Sequence, residues 1–361
     1  MTEKVKVALI GVGNNTSALV QGVAFYRATG SDVGIRRPDI ADVEFASAFA
    51  ISDDKIGRDL HDAIFLPPNN YPRLVERLQP SGVTVQRGLT GPAEIGRVAG
   101  ALAGAEVLLY SAPSGHPDSA RAYAEAALAA GIAFVNTTSD PIARDPETLG
   151  RFARAGLPLI GDDLASQFGT SIVHHALLDL LRERGLTLVS SYQVNLGGTE
   201  DFRNLTENGA AKMRSKLNAA GSGQVAVAPF GYLPHLKSQK VAHLNIEAQG
   251  WGETAVSLDV HLRVQDPSGA AGVNIDLIRI AAAALREGRG GYPEQAAALL
   301  KSRRAPRSNP AMSRIARDFG YPVDELRKLY LRSAAQAGSG VSRMVNVQVS
   351  RVWVGGKGDI A

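Results

Sequence analysis

The stretch KVKVALIGVGNNTSALVQG, residues 4–22, sets a β-branched run, Gly11-x-Gly13 and a helix-spaced segment end to end. Ala18, Leu19, Gly22, Val23 and Tyr26 share one helical face. The same order then recurs. DVEFASAFAIS, AEVLLYSAPSG, IAFVNTTSDP and LPLIGDD read as buried strands. PDSARAYAEAALAAG reads as a helix, with Pro117 at its start and Gly131 past its end. TSIVHHALLDLLRERG reads as another, closed by Gly185. Strands alternating with helices to about residue 186 call for an α/β fold: a doubly wound parallel sheet with helices on both faces.

The pattern then changes. TLVSSYQVNLGG, KVAHLNIEAQGWG and AVSLDVHLRVQD alternate with period 2 and have no long helices between them, which predicts an antiparallel sheet. AGVNIDLIRIAAAALREG returns to helix. The expected organisation is residues 1–187 plus 268–361 as one domain, with 188–267 inserted as an α+β domain. The strand-like end VSRMVNVQVSRVWVGG has no assigned place.

Composition narrows the function. The chain has 361 residues, enough for two domains, and a formal charge of only +4. No segment concentrates base as a nucleic-acid groove requires, so no nucleic-acid partner is expected. The absence of cysteine excludes disulfides, thiol catalysis and thiolate-bound metals. The seven histidines form no ligand spacing, so no metal site is expected. The N-terminus enters a strand directly, and no segment reaches the ~20 apolar residues of a spanning helix. A cytoplasmic protein without a membrane partner is the expectation.

Gly11 and Gly13 sit where a first βα turn would meet a pyrophosphate at a helix N-terminus, and a plain glycine turn is the alternative. Position 16 is Thr, so the third glycine of the usual fingerprint is missing. The second strand ends at Ala50, Ile51 and Ser52, with Asp53 and Asp54 beyond. Asp53 or the Ser52 hydroxyl could meet a ribose, or the acids could be a solvated turn. No arginine follows there in sequence, which favours NAD over NADP. Asn14, Asn15, Ser111 and Asn136, at the loop and at later strand ends, complete the expected cofactor contacts together with Asp163 and Asp201.

GDDLASQFGT, residues 161–170, carries Asp162 and Asp163 with no basic residue within five positions. Candidate cations lie far along the chain. Lys212 and Lys216 stand at i, i+4, where an anion between them or an exposed basic face would each explain the pair. Lys240 begins a strand and could be drawn inward, whereas Lys237 reads as surface. Asp266 ends the last inserted strand, and Lys301 lies in the apolar-flanked AALLKS. Asn195, Gly197, Gly198 and Asp201 read as a polar turn.

These stretches, together with DLHDAIF, VTVQRG, AGIAFVN, KMRSK, QKVAHLNIEAQGWG and DPSGAAGVNIDLIR, resemble the myo-inositol-1-phosphate synthase family in its shorter bacterial and archaeal form. The resemblance runs from about residue 5 to 303. It implies a Rossmann-like fold whose inserted domain carries both catalysis and oligomerisation, with a tetramer as the expected assembly. It implies bound NAD, a hexose 6-phosphate substrate, and oxidation, enolisation, intramolecular aldol closure and re-reduction. By motif, Lys216 and Lys240 would move protons and stabilise oxyanions. Lys212 and Lys301 would hold phosphate or the aldol oxygen. Asp163, Asp201 and Asp266 would orient the lysines near the nicotinamide.

The chain also departs from the family. Ala165 stands where the GDD-x-K-S motif has lysine, Thr199 where asparagine follows the glycines, and DPSGAAG where relatives read DSPNSAG. Ala50 replaces the strand-end acid. These changes favour a shifted substrate, such as fructose 6-phosphate closing to a five-membered cyclitol phosphate. Glucose 6-phosphate giving inositol phosphate is the alternative, and an NAD-linked sugar-phosphate dehydrogenase is a second.

Overall fold

The computed structural model describes residues 4–29, 42–220 and 224–302. The strand-like C-terminal stretch lies outside them.

Six strands, β1 (Val5–Ile10), β2 (Val43–Ala50), β3 (Val85–Arg87), β4 (Val107–Tyr110), β5 (Ala133–Asn136) and β6 (Leu159–Ile160), form a sheet of order β3-β2-β1-β4-β5-β6. Every pairing in it is parallel. The alternation of β1 explains the two faces. Val5, Val7 and Leu9 join a core built with α1 (Asn14–Thr29), while Ala8 and Ile10 join the opposite core. Both faces are covered, so the strands are apolar throughout rather than alternating. The short β3 was not evident in the sequence: three residues at a sheet edge are too few to carry a period.

The helices that follow are α2 (Leu60–Ala63), α3 (Ile95–Ala101), α4 (Pro117–Ala130), α5 (Pro146–Arg154) and α6 (Thr170–Glu183). Gly131 and Gly185 take positive φ, 72° and 73°, just past α4 and α6, as the sequence indicated.

The second sheet is built from β7 (Thr187–Gly197), β8 (Val225–Val227), β9 (Gly231–Tyr232), β10 (Gln239–Gln249) and β11 (Ala255–Gln265). It is mixed rather than purely antiparallel. β10 runs antiparallel to β7 and β11, but β8 and β9 pair parallel to β7. Between β7 and β8 lie α7 (Glu200–Asn208) and α8 (Ala210–Ala220). α6 lies over this sheet, where Leu178 packs with Val225 and Ile246.

Two differences from the sequence reading affect the later chemistry. Asn195 lies inside β7, and Asp201 is in the first turn of α7. Asp266 does not end a strand; it opens α9 (Asp266–Arg286), with Pro267 in the first turn, where its missing N–H costs nothing. α9 has 21 residues and is mostly apolar, long enough to cross a bilayer. Its apolar side is nevertheless taken up by the first sheet, with Val273, Ile275, Leu277, Ile278 and Ala281 in the core shared with α1.

The turn after β1 is tight. Gly11 has φ +90°, and a Cβ there would lie 2.8 Å from the Ser111 carbonyl oxygen. A Cβ on Gly13 would meet nothing within 4 Å. Gly11→Ala should therefore lose at least ~1–2 kcal/mol in urea unfolding, the left-handed penalty alone. Gly13→Ala should stay within about 0.5 kcal/mol of the parent.

Candidate active site

A cleft of about 360 Å³ opens where the strand order reverses between β1 and β4. Gly11, Gly13, Asn14, Asn15, Ser52 and Ser111 line one end, and Asp201, Lys212, Lys216, Lys240, Asp266 and Lys301 the other. The two groups of residues singled out in the sequence thus share one cavity.

At the first end, the opening turn of α1 carries no acid, so its free N–H groups favour an anion. Asn15 donates to Ser111 Oγ at 3.1 Å and accepts from Asn274 at 2.9 Å. With the space over Gly13 and the Ser52 hydroxyl on the wall, this end fits a dinucleotide. Three expected contacts are placed differently. The Asn14 side chain is occupied: its oxygen accepts from the backbone N–H groups of Asn70 and Tyr71 at 2.8 and 2.9 Å, and its amide donates to Asn70 at 2.9 Å. Asp53 is exposed, off the cleft wall, and pairs with Arg87 at 2.6 Å. An arginine does therefore sit near the tip of β2, brought there by the pairing of Ala50 with Arg87, and Asp53 neutralises it. Asn136 is fully buried behind the wall, donating to Asp140 O and to Asp162 Oδ1, both at 2.8 Å.

The two neighbouring acids have separate tasks. Asp162 accepts from Asn136, from the Ala143 N–H at 3.0 Å and from Arg144 Nε at 3.1 Å. Its cation, Arg144, went unrecognised because it lies 18 residues earlier, at a turn with no sequence signature. Asp163 faces the other way. It is fully buried, with φ 59°, and its Oδ1 accepts from Lys212 at 2.9 Å and from Lys301 at 2.8 Å. Lys301 is held there by backbone as well, since its N–H donates to the Asp163 carbonyl at 2.7 Å.

On the second sheet, Lys240 occupies an inward position of β10 and bonds Asp266 at 2.7 Å. Lys216 lies one turn beyond Lys212 on α8 and is 3 % exposed. The exposed-face reading of this lysine pair does not hold. Lys216 Nζ meets only neutral oxygens: Asn195 Oδ1 at 3.1 Å, Gln193 Oε1 at 3.2 Å and Ser171 Oγ at 3.4 Å. Gln193 and Ser171 were not anticipated. Their signal was present, however, because Ser191, Gln193 and Asn195 are polar at the inward positions of β7, where a plain core strand would be apolar.

The charges separate accordingly. Burial works against the Lys212 ammonium, but Asp163 and Asp201 outweigh it and hold its pKa above the usual lysine range. Burial, with Lys240 and Lys301 nearby, drives Lys216 well below that range. Burial also lowers Lys301 to about 8, with Lys212 and Lys240 adding to it against Asp163. Asp266 is raised by burial but lowered overall by Lys240, Lys212 and Lys301. Asp201 opens to the cleft over much of its surface, yet the protein around it, with Asp266 and Asp163, pushes its carboxyl up against Lys212. The cleft therefore holds carboxylate-paired lysines beside an amine whose proton affinity burial lowers.

Residues 169–267 match the sequence profile of the family described as myo-inositol-1-phosphate synthase. The inositol-3-phosphate synthase of Mycolicibacterium smegmatis is 34% identical over 337 residues, covering 82% of this chain and 92% of its own. That of Mycobacterium tuberculosis is 35% identical over 331 residues, covering 82% and 90%. The chain belongs to the myo-inositol-1-phosphate synthase family. Among solved structures, that of Ari2 is 45% identical, with a TM-score of 0.76, and covers 93% of this chain and 100% of its own. The fold is also that of a myo-inositol-1-phosphate synthase-related protein from Thermotoga maritima, at 21% identity and a TM-score of 0.69, over 82% of this chain and 92% of that one. The family's enzymes are cyclases that use NAD as cofactor.

Asp163 is the common partner of two buried lysines. Asp163→Asn would leave both without their carboxylate. It should cost about 3–5 kcal/mol in chemical denaturation at pH 7, the range for breaking a buried pair.

Proposed function

We propose that this protein cyclises a hexose 6-phosphate to a cyclitol phosphate by oxidation, proton removal, intramolecular aldol closure and re-reduction. The observation that carries this reading is Lys216, a buried amine among neutral oxygens, set beside the Lys212–Asp163–Lys301 and Lys240–Asp266 groups. NAD, when bound, supplies a reversible hydride acceptor. Gly11, Gly13, Asn15, Ser52 and Ser111 would hold it.

The chemistry asked of the side chains is limited. A carbon next to a new ketone is acidic, and a neutral amine can take its proton; a charged one cannot. Burial lowers the proton affinity of Lys216, which favours the neutral amine, and the same site can return the proton later. Enolate and aldolate oxygens carry negative charge in a partly dry cleft, where fixed cations act at full strength. Lys212, Lys240 and Lys301 are those cations, held in place by Asp163 and Asp266. A lysine not needed for the oxyanion can meet the phosphate.

The named relatives support glucose 6-phosphate and an inositol phosphate product. A second reading, fructose 6-phosphate closing to a five-membered ring, is favoured by the substitutions. Ala165 is 3 % exposed between Leu164 and Ser166, which line the cleft. Thr199 also lines it while capping α7. One cation and one amide are thus missing from this pocket compared with the family pattern. Self-association belongs to the same proposal, supported by Tyr192, Val256 and Leu258, which are exposed on the second sheet.

The deciding experiment incubates the protein with NAD and each hexose 6-phosphate in turn. Product ring size is read by NMR and NADH by absorbance. A cyclitol phosphate without net NADH is expected; a ketone with one NADH per turnover would make the protein a dehydrogenase. Lys216→Met should slow turnover by about 10²-fold or more, the usual loss for a general base, while NAD still binds. Ala165→Lys should move preference towards glucose 6-phosphate. Unchanged preference would make the alanine incidental.

A further inference from the structure

A fifth lysine lines the cleft, at the opposite end from the other four. Lys55 follows β2 by five positions and is 4 % exposed. Its ammonium donates to the Val12 carbonyl, between the two glycines, at 2.7 Å, and to Asn69 Oδ1 at 2.9 Å. Asn69 itself donates to the same carbonyl at 3.1 Å and to Ile64 O at 2.9 Å. An ammonium has three donors, and these bonds use two.

Among the described residues, no charged group answers Lys55. On its own segment, Asp53 is engaged by Arg87, and Asp54 and Arg58 are exposed. The packed elements, residues 11–15 of the glycine loop and 67–70, carry no titratable side chain. Burial alone acts on the amine, lowering it to about 8. Pinning a loop through two neutral oxygens needs only an amide. Burying an ammonium for that task costs several kcal/mol with no return. The cost makes sense if an anion enters beside it.

We propose that Lys55 is a cofactor-binding residue, the cation that receives the pyrophosphate of the dinucleotide at the glycine loop. The proposal rests on NAD occupying this end of the cleft. The sugar phosphate is the poorer candidate, because Lys55 is bonded into the glycine loop whereas the substrate lysines come from α8, β10 and residue 301.

Calorimetric titration of the full chain with NAD, ADP and adenosine tests it, comparing the parent with Lys55→Gln and Lys55→Arg from pH 7 to 9.5. Glutamine keeps an amide donor for Val12 and removes the charge. Lys55→Gln should weaken NAD and ADP by about 10- to 100-fold, the worth of one charge-assisted bond, and leave adenosine unchanged. Lys55→Arg should recover most of the loss. The anion binds the protonated amine, which is mostly protonated at pH 7 and loses its proton through pH 8 and above. Parental ADP affinity should therefore fall as pH rises past 8, by up to about tenfold per unit. Lys301 titrates in the same range, so the informative quantity is the part of this slope that disappears in Lys55→Gln. Equal ADP binding by parent and Lys55→Gln, or equal losses for ADP and adenosine, would reduce Lys55 to a loop anchor. A parent that binds no NAD at all would instead overturn the cofactor reading, and this proposal with it.

Discussion

The cleft depends on one carboxylate. Asp163 lies at the end of the first sheet, and through one oxygen it holds Lys212 from α8 and Lys301 from the segment paired to residues 162–164. Three pieces of chain remote in sequence meet there. A left-handed backbone at Asp163 costs about 1–2 kcal/mol, and two buried ammonium groups in place of one would be worse than a simple pair. The arrangement persists because Asp162 fixes the backbone immediately before it, bound by Arg144, Asn136 and the N–H groups of residues 142–144. The adjacent acids thus divide their work. One is structural and faces the core of the first sheet; the other turns to the cleft and sets the charge of the lysines.

That charge is distributed unevenly on purpose-built surroundings. Lys212 and Lys216 are one turn apart on the same helix, yet the pKa of the first is raised and that of the second lowered. The difference lies in their partners. Lys212 meets Asp163, while Lys216 meets the amide oxygens of Gln193 and Asn195 on the inward face of β7. An amide oxygen accepts a hydrogen bond without compensating a charge, so it orients an amine and leaves burial to decide its protonation. A cyclase needs both kinds of lysine in one cavity: a base that can take a proton, and cations that stay charged while oxyanions form.

The parallel first sheet, the glycine turn and the lysine-bearing elements were legible in the sequence because they rest on local periodicity and on residue types with few uses. Gly11 and the caps at Gly131 and Gly185 are of this kind, and so is the alternation of β10 that turns Lys240 inward. What escaped depended on contacts between distant segments. Arg87 looked irrelevant to the tip of β2 until pairing with Ala50 put it beside Asp53. Asn14 looked like a cofactor contact until the segment containing Asn70 took up its side chain. Lys55 was passed over because a lysine after a strand is usually solvated, and no one-dimensional pattern shows a side chain folding back beneath a loop. Asp266 was misplaced by one element, since a Pro-Ser-Gly stretch reads as a turn although proline suits the first turn of a helix.

The substitutions at 165 and 199 leave the charged groups of the cleft intact. Neither removes a member of the Asp163 or Asp266 groups, and Thr199 still caps α7 through its hydroxyl. Ala165 is different in kind. Its N–H is fixed to the Leu299 carbonyl at 2.9 Å, so its backbone is tied to the strand pairing that presents Lys301. Ala165 is buried, and its neighbours Leu164 and Ser166 line the cleft. An alanine here brings no charge beside the lysines that remain. The proposed shift to another carbon skeleton rests on this change, which leaves the Asp163 and Asp266 groups in place. Under that proposal, selection between hexose phosphates falls to this position and to Thr199, while the bond-making step is left to the lysines.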